Sequence, residues 1–211
     1  MLFDDNGNFR IQQLFSYPEN DYEELKQEAL KCRRCQLREG CNGVVMGEGS
    51  TNNRIMLIGE GPGANEDRLG RPFVGKAGQL MDKILESVNL KREELYITNV
   101  VKCRPPKNRV PYKNEFESCV SILMAEINLI NPKVIVPMGS TAAKFLISPS
   151  ESITNLRGNW IQKGDIFFLP TFHPAYLLRN SNMKKYSWYD FKLIKKAADR
   201  INELSSSGNS L

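Results

Sequence analysis

The sequence is poor in histidine and has no long apolar run. His173 is its single histidine, so any imidazole chemistry must take place there. No segment approaches the roughly 20 consecutive apolar residues that a membrane helix requires. The N-terminal MLFDDNGNFR is acidic and polar, whereas a secretory signal would be apolar. We therefore expect a cytoplasmic protein with no membrane partner.

The composition is that of a folded globular domain. Hydrophobic residues make up 41% of the 211 positions and charged residues 25%, which excludes a disordered or fibrous chain. This length favours a single domain over residues 1–211, with an N-terminal extension at 1–20 and a disordered tail at 205–211. Lys and Arg outnumber Asp and Glu by 29 to 24, and the net charge of +5 favours a polyanionic partner. We expect the protein to be a monomer.

Cysteine spacing indicates a metal site. Cys32 and Cys35 form a C-x2-C pair, and fifteen residues separate Cys103 from Cys119. Because thiols in the cytoplasm stay reduced, these cysteines are interpreted as metal ligands rather than as disulfide partners. Four thiolates from two distant pairs suit zinc or an iron–sulfur cluster, and the spacing does not choose between them. The alternative is that Cys103 and Cys119 are small buried hydrophobic residues, and Cys41 is interpreted as a spectator thiol.

Short apolar runs alternate with amphipathic helical patterns along the chain. This alternation predicts an α/β fold around a parallel sheet. Four strands are predicted, each at the start of an apolar segment, and these segments are 55–58, 95–103, 134–139 and 166–174. The predicted helices span 21–31, 76–88, 113–130, 140–147 and about 184–204.

Three predicted strand exits have an unusual composition. They are GEGPG at 59–63, NVVKCRPPKNR at 99–109 and HPAYLLRN at 173–180, all polar and rich in glycine or proline. Ligands of open α/β sheets bind beyond the carboxyl ends of the strands. We therefore expect these three segments to form the functional site.

Taken together, the motifs resemble one enzyme family. GEGPGANEDRLGRPFVGKAGQL, ITNVVKCRPPKNRVP and HPAYLLRN, with the two cysteine pairs, are similar in order and spacing to the family 4 uracil-DNA glycosylases. The resemblance covers roughly residues 25–200. It implies a three-layer fold with a central four-stranded parallel sheet flanked by helices. It also implies hydrolysis of the uracil N-glycosidic bond in double- and single-stranded DNA, which leaves an abasic site and starts base excision repair.

The same resemblance implies a cofactor. Its [4Fe-4S] cluster would be bound by the paired cysteines Cys32, Cys35, Cys103 and Cys119. The cluster would have a structural role, ordering the nearby basic residues for phosphate contact. These residues are Lys102, Arg104 and Lys107.

The resemblance also assigns the uracil pocket. Phe73 matches the ring that stacks on the flipped base, and Asn99 matches the side chain that reads the uracil edge. His173 matches the donor that stabilises negative charge at uracil O2. The first loop completes the pocket with Gly59, Glu60, Gly61, Pro62 and Gly63.

The residue that handles the attacking water stays open. Family 1 relatives have an aspartate where this chain has Gly61, so that carboxylate base is absent. Glu60, Glu66 and Asn108 are the candidates for its role. Glu66 would alternatively crowd uracil C5 and exclude thymine.

The segment after His173 resembles the loop that inserts into DNA. Leu177 and Leu178 are predicted to fill the space left by the flipped nucleotide, and Arg179 to contact phosphate. The alternative is that the leucines are core residues at the start of a helix.

Three other functions agree with parts of the pattern. A superfamily branch that forms a covalent product needs an added histidine-bearing loop, and the chain has no second histidine. A cluster-bearing DNA-binding module without catalysis would not need Phe73, Asn99 and His173 together. A nucleotide-binding enzyme using GEGPG as a phosphate loop would need the Lys-Ser/Thr ending that this loop lacks.

Overall fold

The computed structural model describes residues 21–52 and 54–206. The extension predicted at 1–20 and residues 207–211 of the predicted tail lie outside these residues, whereas Ser205 and Ser206 are helical. The strands are β1 (Glu48–Gly49), β2 (Ile55–Gly59), β3 (Tyr96–Asn99), β4 (Val134–Pro137), β5 (Ile161–Lys163) and β6 (Ile166–Phe168). The helices are α1 (Tyr22–Leu30), α2 (Ala64–Leu69), α3 (Lys76–Ser87), α4 (Lys113–Ile130), α5 (Gly139–Leu146), α6 (Ile153–Leu156), α7 (Pro174–Arg179) and α8 (Lys184–Ser206).

One sheet organises the fold. Its strand order is β1-β3-β2-β4-β6-β5, and the inner four strands are parallel. The α/β class and the parallel core are thus confirmed, but the sheet has six strands where four were predicted. The additional strands β1 and β5 pair antiparallel at the two edges. They are two and three residues long and only partly buried, so they carry no apolar run that a sequence pattern would reveal.

Helices cover both faces of the sheet. All five residues of β2 are buried, and their side chains alternate between the faces. Met56 and Ile58 pack in a cluster with α4 and α5, whereas Ile55 and Leu57 pack in another with α3, α7 and α8. This is the expected three-layer arrangement, and it directs the carboxyl ends of the parallel strands toward one edge.

The main helices begin and end close to the predicted positions. α3 and α4 match the patterns at 76–88 and 113–130, and α8 starts at Lys184 as expected. The last of the four predicted strands, β6, is shorter than the predicted segment at 166–174. It ends at Phe168, and beyond it only an isolated bridge joins Met138 to Thr171. Among the described residues, no helix has both the length and the apolarity needed to cross a bilayer.

Candidate functional site

The carboxyl ends of the inner strands open onto one pocket of about 630 Å³. Its lining includes residues from all three predicted strand exits, at 60–66, 99–110 and 173–179. The exit of β4 also contributes, through Met138, Gly139, Ser140 and Thr141. This fourth segment was not predicted from the sequence, although it follows a buried strand in the same way as GEGPG does.

Asn99 ends β3 at the floor of the pocket. Its side chain is 2% exposed, and its Oδ1 has no hydrogen-bond partner within the described part of the chain. A buried acceptor without a partner costs about 1–3 kcal/mol. The pocket therefore contains an acceptor suited to a donor on a bound molecule.

Phe73 lies against the pocket in a conformation that its surroundings enforce. Its φ is +51°, which is uncommon for a residue with a side chain. Arg92 donates from Nη1 to the Phe73 carbonyl at 3.1 Å, and Glu66 Oε1 accepts from the next two backbone N–H groups at 2.9 and 2.7 Å. A Cβ at Gly78 would lie 1.8 Å from the Phe73 carbonyl oxygen, so only glycine permits this approach of α3. The loop is thus fixed from three sides.

His173 caps the N-terminus of α7 and faces the Phe73 ring. The two ring centroids are 5.6 Å apart, with planes inclined by 37°. His173 Nδ1 accepts from the Ala175 backbone N–H at 3.1 Å, so the neutral ring carries its proton on Nε2. Burial, together with the positive charge of Arg179, lowers the pKa of His173 from 6.5 to about 4, against a small opposing effect of Glu66. The ring is therefore a neutral donor at ordinary pH.

The three candidates for handling water all line the pocket. Glu60 accepts a short hydrogen bond from the Thr141 hydroxyl. Glu66 is buried and accepts from the backbone of the Phe73 loop. Asn108 accepts from Arg104 Nε at 2.8 Å. Of the three, only Glu60 is held by a side chain from the β4 exit.

The two leucines that were predicted to insert into DNA both lie on α7 but differ in exposure. Leu177 is 0% exposed and packs in the core cluster with α3 and α8, so its prediction as an inserting residue is wrong. Leu178 is 46% exposed. Adjacent helical residues point about 100° apart, so one face of α7 can bury Leu177 in the core while Leu178 faces solvent. Arg179 is exposed at the end of α7 and lines the pocket.

Lys102 does not contact solvent, and its prediction as a phosphate contact is wrong. It is 0% exposed, because its ammonium group is bound within the core to Thr98, Asn99 and Glu126. Lys107 is exposed and Arg104 is half-buried, so these two remain at the surface beside the pocket.

The four predicted ligand cysteines line one small cavity on the far side of Lys102. Burial raises the thiol pKa of Cys119 to about 12, and burial with the neighbouring Cys41 thiol raises that of Cys103. Cys119 Sγ accepts from the Lys102 backbone N–H at 3.2 Å. In the residues that the structure describes, no group of three or more side chains is already arranged to hold a metal ion.

The donor set of this cavity nevertheless fits an anionic metal–thiolate group. Arg38 lines the same cavity, and its Nε is buried without a partner among the described residues. A buried cationic donor beside four thiols matches the charge of a thiolate-bound cluster.

Several known proteins with similar sequences are named uracil-DNA glycosylases. The family model described as the uracil DNA glycosylase superfamily matches residues 46–196. A type-4 uracil-DNA glycosylase of Thermotoga maritima is 48% identical over 160 residues, which cover 74% of this chain and 82% of that protein. Proteins of the same name from Sulfurisphaera tokodaii and Saccharolobus solfataricus are 42% and 39% identical over 83% and 82% of this chain, and 84% of each relative is covered.

Proposed function

Since this chain belongs to the uracil DNA glycosylase superfamily, in its type-4 branch, we propose that the strand-end pocket binds a uracil flipped out of DNA. The chain is a DNA glycosylase that excises uracil in DNA repair. It hydrolyses the N-glycosidic bond, releasing free uracil and leaving an abasic site. The observation that supports the pocket assignment is the buried Oδ1 of Asn99, which has no partner among residues 21–52 and 54–206.

Base recognition rests on Asn99 and Phe73. Asn99 Oδ1 accepts the N3–H of uracil, and its side-chain amide donates to O4. Cytosine presents the opposite pattern at these two positions, so it would leave both groups of Asn99 unpaired. Phe73 stacks on the base and offsets part of the few kcal/mol that flipping costs.

His173 stabilises the leaving group. As the glycosidic bond breaks, negative charge develops on the uracil and reaches O2. His173 Nε2–H, in the neutral ring fixed by Ala175, donates to that oxygen. A donor oriented in advance toward developing charge lowers the barrier without reorganising during the reaction.

Glu60 positions the attacking water. Glu66 already holds the Phe73 loop, and the Oδ1 of Asn108 already accepts from Arg104. Glu60 lines the pocket, where the hydroxyl of Thr141 orients its carboxylate. Its carboxylate accepts a proton from the water as the oxygen attacks the sugar.

DNA is held outside the pocket by α7 and the basic residues around it. Leu178 inserts into the stack where the uracil leaves, and Arg179 contacts a phosphate. The enzyme acts on uracil in both double-stranded and single-stranded DNA. It does so as a monomer in the cytoplasm.

The four cysteines hold a [4Fe-4S] cluster. Cys32 and Cys35 lie between α1 and β1, and Cys103 and Cys119 belong to the β3 exit and α4. When bound, the cluster supplies structural cross-links between these segments. The fit rests on the shared cavity, the four thiols and the buried Arg38 Nε, which has no partner in the described part of the chain.

The direct test of this function is release of free uracil from a defined duplex. Wild type and His173→Ala are compared in parallel on the same oligonucleotide. We expect uracil release by wild type and a loss of about 10²- to 10³-fold in the variant. Equal rates for the two proteins would contradict the role of His173 in stabilising the leaving group.

A further inference from the structure

Lys102 lies directly behind the uracil-reading residue. Its Nζ donates to the backbone carbonyl of Asn99 at 2.8 Å, to Thr98 Oγ1 at 2.6 Å and to Glu126 Oε2 at 2.5 Å. Lysine has three ammonium donors, and these acceptors use all of them. We propose that Lys102, with Glu126 as its counter-ion, is the positioning residue that fixes Asn99 for uracil recognition.

Glu126 is satisfied as completely as Lys102. Its Oε1 accepts from the Gly47 backbone N–H at 2.9 Å and from the Tyr96 hydroxyl at 3.1 Å. Its Oε2 accepts from Lys102 and from the Thr98 hydroxyl at 2.9 Å. Both members of the ion pair are about 0% exposed. The charged pair therefore has one defined geometry and no solvent to compete with it.

The pair acts on the backbone at the position that matters for recognition. Asn99 is the last residue of β3, and beyond it Val100 N–H donates to the Gly59 carbonyl at 2.9 Å. The Asn99 carbonyl is bound by Lys102 on the other side. The two hydrogen bonds hold the single peptide group between Asn99 and Val100 from opposite sides, so the backbone is fixed directly after the Asn99 Cα and its side chain is held toward the pocket.

A buried ion pair is a costly way to stabilise a core. Hydrophobic residues of similar volume often stabilise a fold equally well or better. Here the pair holds the Asn99 carbonyl in place, because a hydrogen bond from a charged group is shorter and roughly twice as strong as a neutral one. The Lys102 backbone N–H also donates to Cys119 Sγ. Both the backbone and the side chain of Lys102 are therefore held by hydrogen bonds.

The inference rests on the proposed role of Asn99, and a double-mutant cycle tests it. The substitutions are Lys102→Met with Glu126→Gln, which removes both charges, and Glu126→Gln alone, which keeps the Lys102 hydrogen bond to Asn99 but leaves the buried ammonium group without its counter-ion. Each is made in the wild-type and in the Asn99→Ala background. Single-turnover uracil excision, binding of an abasic duplex and thermal unfolding are measured for every variant. Tyr96→Phe is the matched control, because it removes one hydrogen bond to Glu126 without touching Asn99.

A positioning role predicts a loss that depends on Asn99. In the wild-type background the variant without both charges should excise uracil about 10- to 100-fold more slowly than the unsubstituted protein. A small misplacement of a recognition group has an effect of this size. Glu126→Gln should give a smaller loss in the same direction. In the Asn99→Ala background neither should change the rate by more than about twofold, because coupled residues are not additive. Abasic-duplex binding and the excision rate of Tyr96→Phe should stay near wild type.

Three results would overturn the inference. The first is equal fold-losses in both backgrounds, and the second is wild-type excision by the charge-free variant. The third is loss of folding in every Lys102 and Glu126 variant, which would make the pair a requirement for folding alone. A wild-type rate for Asn99→Ala by itself would instead contradict the proposed function, so the two failures are distinguishable.

Discussion

Gly59 and Asn99 are register partners at the ends of neighbouring parallel strands, and the Asn99 side chain occupies the space beside the Gly59 Cα. A Cβ at Gly59 would lie 2.5 Å from Asn99 Oδ1 and 2.5 Å from Phe73 Cζ. The absence of a side chain at residue 59 therefore lets the reading residue and the stacking ring meet over the strand end.

Gly59→Ala should impair excision while leaving the fold intact. The added methyl group displaces Asn99 or Phe73, and we expect uracil excision to fall by about 100-fold. Single-turnover assays and thermal unfolding measure the two effects separately. Gly40→Ala is the matched control, because no atom of the residues that the structure describes lies within 4 Å of a Cβ at that position. Similar rates for the two variants would contradict the assigned contact between Gly59 and the pocket.

His173 should give the excision rate an acidic limb. With a pKa of about 4 the ring is neutral above that pH, and protonating Nδ1 removes the acceptor for the Ala175 N–H. The difference in rate between wild type and His173→Gln should be constant at neutral pH and decrease as the pH falls toward 4. A change centred near the ordinary value of 6.5 would contradict the buried, neutral state.

The same lowered pKa predicts how stability depends on pH. Between 6.5 and about 4 the unfolded chain binds a proton at His173 that the folded protein does not. The contribution of His173 to stability is therefore fully present above pH 6.5 and is lost as the pH falls toward 4. Thermal unfolding of wild type against His173→Gln over this range measures it.

Leu178 and Leu177 should respond differently to truncation. Leu178→Ala should slow excision from duplex DNA more than from single strands, because only a duplex needs its stack refilled after flipping. Leu177→Ala creates a core cavity and should lower the free energy of unfolding by about 2–5 kcal/mol, with equal effects on both substrates. Equal effects of Leu178→Ala on both substrates would contradict the inserting role.

The purified protein should be brown, with the broad visible absorption of a [4Fe-4S] cluster. Cys32→Ser or Cys103→Ser should lose colour, iron and solubility, whereas Cys41→Ser should keep all three. Iron analysis and absorption spectra measure the first two. A colourless, fully active protein with stoichiometric zinc would contradict the cluster assignment.

Elements with a strong local pattern were predictable from the sequence. α3 and α4 begin and end close to the predicted positions, because their apolar residues recur with the helical period. The parallel strands were found from their buried apolar runs. The edge strands β1 and β5 were not, because their pairing depends on neighbours in the sheet rather than on their own residues.

Side-chain environment was less predictable than position. Lys102 was interpreted as a surface cation because lysine is almost never buried unless paired. Its partner Glu126 is 24 residues away on α4, and no local pattern links the two. Likewise, only the packing of α7 on the core decides which of Leu177 and Leu178 is exposed.

The most direct test of the account is the substrate preference of Asn99→Asp, measured as free base released from matched uracil and cytosine oligonucleotides. A carboxylate cannot donate to uracil O4, and its charge opposes the developing uracil anion, so uracil release should fall by orders of magnitude. The same carboxylate accepts from cytosine N4, and when protonated it donates to cytosine N3. Weak cytosine release should therefore appear, strongest at low pH and at unpaired or mismatched cytosines, where flipping costs least. Uracil release by Asn99→Asp at nearly the wild-type rate would contradict the assignment of Asn99 as the reading residue.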